Sequence, residues 1–274
     1  MSRVTCCVFT VAAVCAVASS ASAAQGVLVV ETTTVAGTPR TTQVQIEPTR
    51  IRTEVAGPDG TNQVLIFDGA KQTLYMVNPA AKTYSVMTKA DVDAAGAQLG
   101  DLMAQMQKAL EGMPPAQRAQ MEAMMKGRGM PGMGAAARTE YRRAGTSKVS
   151  KWTCDVYEGF QNNAKTGEVC TVNPTVLGFA AADFEVTRQL GEFMRGLVPQ
   201  AADQLFAAGG TTPQGQGFSG VPVRRVATVA GREMVTELMS IARETFPDAI
   251  FAVPDGFTQQ ASPLSGLGRG RGRQ

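Results

Sequence analysis

The chain has no histidine in its 274 residues. That excludes Ser-His-Asp and Cys-His triads, imidazole general bases and the usual zinc or copper(II) ligand sets. Beyond residue 24, no run approaches the roughly twenty apolar residues that a membrane helix needs. Cysteine is scarce: Cys6, Cys7 and Cys15 lie near the start, and only Cys154 and Cys170 follow. Charge of one sign is lacking too. The formal +3 includes Arg3 and the terminal Arg269, Arg271 and Arg273, so the body between them is close to neutral. It offers no general case for nucleic-acid binding. Gly127-Arg128-Gly129 is not followed by a phosphate-loop lysine and hydroxyl, and reads as plain loop.

What is present begins with a processing signal. Residues 1–24 read as a signal peptide, with Arg3 as the positive n-region and residues 4–17 as the apolar h-region. Ala21-Ser22-Ala23 is the small-residue cleavage site, cut after Ala23 or Ala24. A lipoprotein reading at Cys15 fits less well, because Val14 is large for the residue before a lipidated cysteine. The expected product is periplasmic or secreted. Residues 25–260 are expected to form one β-rich domain, and residues 261–274 a disordered Gly/Arg tail. The tail arginines suit at most a peripheral contact with anionic envelope surfaces. In an oxidising compartment Cys154 and Cys170 are expected to pair.

Residues 62–87 are the most legible stretch. Residues 64–67 are continuously apolar, and 68–71 are turn chemistry with Gly69 free for positive φ. Leu74 and Met76 then alternate with Thr73 and Tyr75. Asn78-Pro79 breaks the ladder, and Tyr84 and Val86 resume it with Ser85 outward. Such a meander needs a cover for its apolar face. Upstream, residues 26–34, 41–46 and 50–55 read as strands of a half-buried antiparallel sheet.

At residue 88 the period changes. Thr88-Lys89-Ala90-Asp91 is a capping-box-like start, and Leu99, Leu102, Met103, Met106, Leu110 and Met113 follow at helical spacing. Pro114-Pro115 ends that helix and begins a second, so residues 88–134 read as a methionine-rich helical insertion. Strands are expected near 138–141 and over 148–158, with a turn over 161–167 and a return over 168–172. Cys154 and Cys170 then sit across neighbouring strands. Residues 184–197 read as a second helical region. Residues 221–229 and 234–241 read as a hairpin, although the second arm has the propensity of a helix. Residues 249–253 read as a short strand.

Several segments together resemble an uncharacterised family of secreted bacterial domains of unknown function. They are Ile66-Phe67-Asp68, Lys71-Gln72-Thr73-Leu74-Tyr75-Met76, Pro79 with Lys82-Thr83-Tyr84, and Trp152-Thr153-Cys154-Asp155-Val156-Tyr157. The closing Phe246-Pro247-Asp248-Ala249-Ile250-Phe251-Ala252-Val253-Pro254-Asp255-Gly256-Phe257 is the last. That family is similar to the outer-membrane lipoprotein carrier fold, an incomplete antiparallel barrel around helices, and it implies no catalytic residues. The expected class is α+β: a curved, incompletely closed antiparallel half-barrel with two helical insertions.

Eight of the 14 methionines fall between Met103 and Met133. Three readings are open. Methionine fills irregular packing between helices and a curved sheet. It lines an adaptable site for an apolar ligand. Or it supplies thioethers to Cu(I) at Met103/Met106 or Met121/Met124, without histidine support. The carboxylates Asp91 and Asp93 are explained by the helix dipole, and Asp155 and Glu158 fall at normally solvated positions. The expected function is therefore non-catalytic, without cofactor or resident metal: binding or shielding a lipid or acyl chain in the cell envelope. Its expected ligand-binding residues are Leu74, Met76, Val86, Leu99, Met103, Met106, Leu110, Met121 and Met124. The alternative is a structural or interaction module whose core is simply filled.

Overall fold

The computed structural model describes residues 24–56, 61–114, 117, 139–161, 163–197, 218–229 and 231–266. Residues 1–23 of the expected signal peptide, Met121 and Met124, and the arginine-bearing end of the tail lie outside the described residues.

The meander is built from one turn used twice. Strand β4 (Asn62–Asp68) ends at Asp68, whose Oδ1 accepts the Lys71 amide at 3.0 Å. Strand β5 (Thr73–Asn78) ends at Asn78, whose Oδ1 accepts the Ala81 amide at 3.1 Å. Each turn closes through a left-handed residue, Gln72 or Lys82, both at φ +50°. A side-chain acceptor followed by a positive φ is a compact way to reverse a strand. The result is a register that joins β5 to β4 and to β6 (Thr83–Thr88), with Leu74 facing Phe67 on one side and Met87 on the other.

That register corrects one expected grouping. Val86 is the partner of Tyr75, so it stands on the opposite face from Leu74 and Met76. Ser85, the partner of Met76, lies on their face, and Met87 takes the place expected for Val86. Side chains alternate with period two, so the four-residue loop between β5 and β6 decides which set faces the core.

The remaining strands are β1 (Ala24–Val35), β2 (Thr38–Ile46), β3 (Arg50–Ala56), β7 (Glu140–Val149), β8 (Trp152–Gln161), β9 (Ala164–Val172), β10 (Val221–Val229), β11 (Arg232–Phe246) and β12 (Thr258–Gln260). Among the described residues, these twelve strands form one sheet in the order β12-β6-β5-β4-β3-β2-β1-β11-β10-β9-β8-β7. Every neighbouring pair is antiparallel except β12, which lies parallel to β6. The end strands β12 and β7 do not meet, so the sheet is open, as expected. Among the described residues, helices α1 (Lys89–Glu111) and α2 (Glu185–Arg195) fall within the two expected insertions. The second helix expected after Pro115 lies almost wholly outside the described residues.

Both faces of the sheet are covered. The inner face carries the main core: Val27, Val29, Ile46, Ile51, Phe67 and Leu74 lie under Val186, Leu190 and Phe193 of α2. The outer face carries a smaller core in which Val64, Ile66 and Val77 meet Phe246 and Phe251. This outer cover is residues 247–257, read from sequence partly as a short strand. Residues Asp248–Phe251 instead form a 3-10 turn, because an extended peptide after Pro247 (ψ 137°) leads into a tight i→i+3 bond from Ile250 to Pro247. Arg50 holds that turn: its Nη2 donates to Asp248 at 2.5 Å and its guanidinium lies 4.6 Å over the Phe251 ring.

Two more boundaries differ from expectation. Residues 148–149 belong to β7, and the reversal comes at Ser150, in the left-handed region at φ +52°. Strand β9 starts at Ala164 inside the expected turn, and Gly167 tolerates this because a Cβ there would stand 2.6 Å from Val226 O. By contrast, residues 234–241 are strand, not helix. Twelve paired positions on β1 outweigh local propensity.

Cys154 and Cys170 form the disulfide, with Cα atoms 5.5 Å apart on β8 and β9. Both are buried in the main core. Closing a loop of 16 residues constrains the unfolded chain. Replacing both cysteines with alanine is expected to cost about 3 kcal/mol, read as a lower urea midpoint. A loss under roughly 1 kcal/mol would contradict a stabilising bridge.

Candidate apolar-ligand site

Helix α1 begins where β6 ends. Thr88 caps it: its Oγ1 accepts the Asp91 amide at 3.2 Å, and Asp91 Oδ2 accepts the Thr88 amide at 2.9 Å. These bonds from the Thr88 backbone and hydroxyl hold the Asp91 carboxyl below its ordinary range. Asp93 pairs with Lys89 one turn away. Both acids are thus occupied by helix geometry, as the sequence suggests.

The first turns of α1 are tied to the core, and the later ones are not. Val92 and Ala95 are buried. Gly96 packs on the end of α2, where a Cβ would stand 2.3 Å from Gly196 O. Beyond that contact Leu99 is 42% and Leu102 is 53% exposed. Leu110 is half-buried. The side chains of Met103 and Met106 lie outside the described part of the helix.

Opposite α1, Leu74 is buried, and Met76 and Leu65 are half-buried against the main core. The third wall was missed by the sequence reading. Residues 258–266 run along the free edge of β6 and end in the 3-10 turn Pro263–Gly266, which touches both β6 and α1. Leu264 from this strap packs on the main core. Two grooves flank it. One, of about 160 Å³, is lined by Gln63, Met76, Tyr84, Ser85, Gln260 and Pro263 among others. The other, of about 200 Å³, is lined by Asp91, Ala94, Ala95, Gln98, Ser262, Leu264 and Ser265. The structure therefore brings Leu74, Met76 and the start of α1 to one place, puts Val86 on the other face, and inserts Leu264 between. A leucine in a segment read as the opening of a disordered tail carried little sequence signal.

A second small cavity, about 50 Å³, opens between β9, β10 and β11 beside Val169, Arg225, Met234, Thr236 and the Tyr141–Phe218 edge-on ring pair. Glu31 lies within the field of Arg225; burial pushes its carboxyl up and the guanidinium offsets part of the rise. An acid inside the β-branched run of β1 was its only sequence signal. Among the described residues, no cluster of three or more cysteine, aspartate or glutamate side chains is placed to hold a metal ion. The Cu(I) reading rests on side chains outside the described residues.

Residues 143–257 match the model of a family described as a domain of unknown function (DUF4412). The match runs from within β7 to the end of the outer cover. It takes in the disulfide hairpin and the closing Phe246–Phe257 segment, whereas the meander lies outside it. No curated protein matches the chain. Among solved structures it is similar to an uncharacterized conserved protein from Thermus thermophilus, with TM-score 0.43 and 7% identity over 87% of this chain and 90% of that one.

Proposed function

We propose that this is an exported, non-catalytic protein that binds or shields a lipid or acyl chain in the cell envelope. The observation that carries the reading is the change in exposure along α1, from buried Val92 and Ala95 to exposed Leu99 and Leu102. A helix on a globular surface ordinarily turns its apolar side to the core. Here the apolar side continues into water beyond a groove lined by Ala95, Gln98 and Leu264, and the groove lined by Met76 lies on the other side of the strap. The open, mostly antiparallel sheet with two helices supports a carrier-like use of the fold, as in the outer-membrane lipoprotein carriers. The carboxylates singled out as acid/base candidates are in caps and ion pairs: Asp91 with Thr88, Asp155 with Arg143, Glu158 with Lys165.

Native mass spectrometry of gently purified protein, with titration of a fluorescent palmitate analogue, tests this. Leu99→Ser/Leu102→Ser is expected to weaken probe binding by roughly tenfold or more, the scale of losing two leucine contacts. Protein that travels empty and ignores the probe would sink the reading. The second reading, a structural or interaction module, is favoured by the filled inner face under Phe184, Leu190 and Phe193, and that empty outcome would leave it standing.

A further inference from the structure

Leu264 occupies the place where the inner face of the meander meets α1, and nothing about its attachment is strong. The strap reaches it through β12, three residues that are all exposed and pair with only half of β6, Thr83 to Ser85. Besides that short ladder, the Thr258 amide donates to Lys82 O at 3.0 Å and Tyr84 Oη donates to Gln259 Oε1 at 3.3 Å, while the bonds at Leu264 and Ser265 go to Ser262 within the strap itself. Upstream, by contrast, residues 247–257 are fastened by Phe251 in the outer core and by Arg50 on Asp248. The chain thus passes from a firm anchor to a lightly held end. At that end a half-buried leucine sits on the main core with a groove on either side.

A short exposed parallel strand at a sheet edge gains little from its ladder, since half of its backbone groups still face water. Beyond that three-residue ladder, the apolar contact that holds residues 258–266 to the main core is Leu264. An apolar side chain held by contact alone is exchangeable for another of similar size and chemistry, because the hydrophobic effect is non-directional.

We infer that residues 258–266 are a displaceable plug, with Leu264 standing in for the end of an acyl chain that enters between α1 and the inner face of β5 and β6. The inference rests on the apolar-ligand reading and adds to it where the chain end lies and what the protein puts there when empty. The entering chain runs from exposed Leu102 and Leu99 along α1 to the site of Leu264, with Leu65, Met76 and Met87 as its floor. Polar neighbours Gln63, Ser85 and Gln260 stand at the β6 end of the gap. The strap then lifts while the anchor at Arg50 stays in place.

Two full-length variants and one ligand-free measurement test this. Leu264→Ser weakens the plug and is expected to tighten binding of the fluorescent palmitate analogue roughly tenfold, the scale of one half-buried leucine. Ser85→Cys/Gln260→Cys joins register partners on β6 and β12. Once oxidised, it is expected to weaken binding by a similar factor relative to either single variant. Hydrogen exchange on protein without probe is expected to show the Thr258 amide exchanging far faster than the amides of β5. Probe binding that ignores both Leu264→Ser and the tether, yet falls in Leu99→Ser/Leu102→Ser, overturns the plug and leaves the apolar-ligand reading intact. Protection at Thr258 equal to that in β5 overturns the plug whether or not any ligand binds. No probe binding in any variant, Leu264→Ser included, removes the parent reading and the plug with it.

Discussion

Phe193→Ala is expected to lower the unfolding free energy by about 3–5 kcal/mol, read as a lower urea midpoint at unchanged slope. Phe193 is 0% exposed, and its ring centroid lies 5.3 Å from that of Phe67, tilted by 54°. The pair joins α2 to the centre of the inner face, so truncation removes a whole ring from a position with no route for water. Partial collapse is restricted because both neighbours are fixed: Phe67 by its strand pairs with Ile51 and Leu74, and α2 by Val186 and Leu190 on the same core. Phe193→Leu is expected to recover more than half of the loss, since it refills most of the volume. A loss below about 1 kcal/mol for Phe193→Ala would mean that α2 does not cover the sheet as described.

Arg50→Ala is the second large effect, expected at about 2–3 kcal/mol. Arg50 donates to Glu47 Oε2 through Nε at 2.8 Å and Nη2 at 2.5 Å, and to Asp248 through Nη2. The Glu47 side chain is only 2% exposed, so removing its cation leaves a carboxylate in a dry site. Losing one partner of a fully buried pair costs roughly 3–5 kcal/mol, and the partial exposure of Arg50 calls for a discount. The guanidinium also covers the Phe251 ring, so alanine loosens the outer cover as well. Arg50→Lys keeps the charge but loses the fork, and is expected to recover less than half of the loss. Glu47→Gln in the Arg50→Ala background is expected to restore stability, because it discharges the buried group. If Arg50→Ala lies within about 0.5 kcal/mol of the parent protein in urea, the network does not hold the outer cover.

Legibility followed the range of the interaction. The meander, the capped start of α1 and the span of α2 were readable because each depends on neighbours a few residues away: turn residues between alternating strands, a Thr88–Asp91 box, a 3.6-residue apolar stripe. Only the left-handed residue of the first turn differs, being Gln72 rather than Gly69. The pairing of Cys154 with Cys170 was readable because both lie on one predicted hairpin. Errors arose where one residue decides a larger geometry. Ser150 in the left-handed region moved a strand boundary, and the four-residue loop before Thr83 put Val86 on the other face. Residues 249–253 have strand-like composition, yet the Pro247 turn and the Arg50 anchor fold them into a cover for the outer face.

The candidate site was legible in part for the same reason. Period alone put Leu74 and Met76 on one face of β5 and placed Leu99 and Leu102 on α1. Leu264 was not legible, since a single leucine between Pro263 and Ser265 carries no periodicity, and only the parallel return along β6 brings it to α1. Glu31 and Arg225 lie 194 positions apart, and no local pattern links them.

By itself, the sequence determined that histidine chemistry is absent, that a meander runs into a capped helix, and that a disulfide closes one hairpin. Those follow from residue types and short spacings. The tertiary structure alone decided that the sheet has a cover on each face, that Glu47 is buried under Arg50, and that the gap beside α1 is held by the chain's own C-terminal strap. Each of these depends on contacts between residues far apart in sequence, and their free energy exists only once the sheet has brought them together.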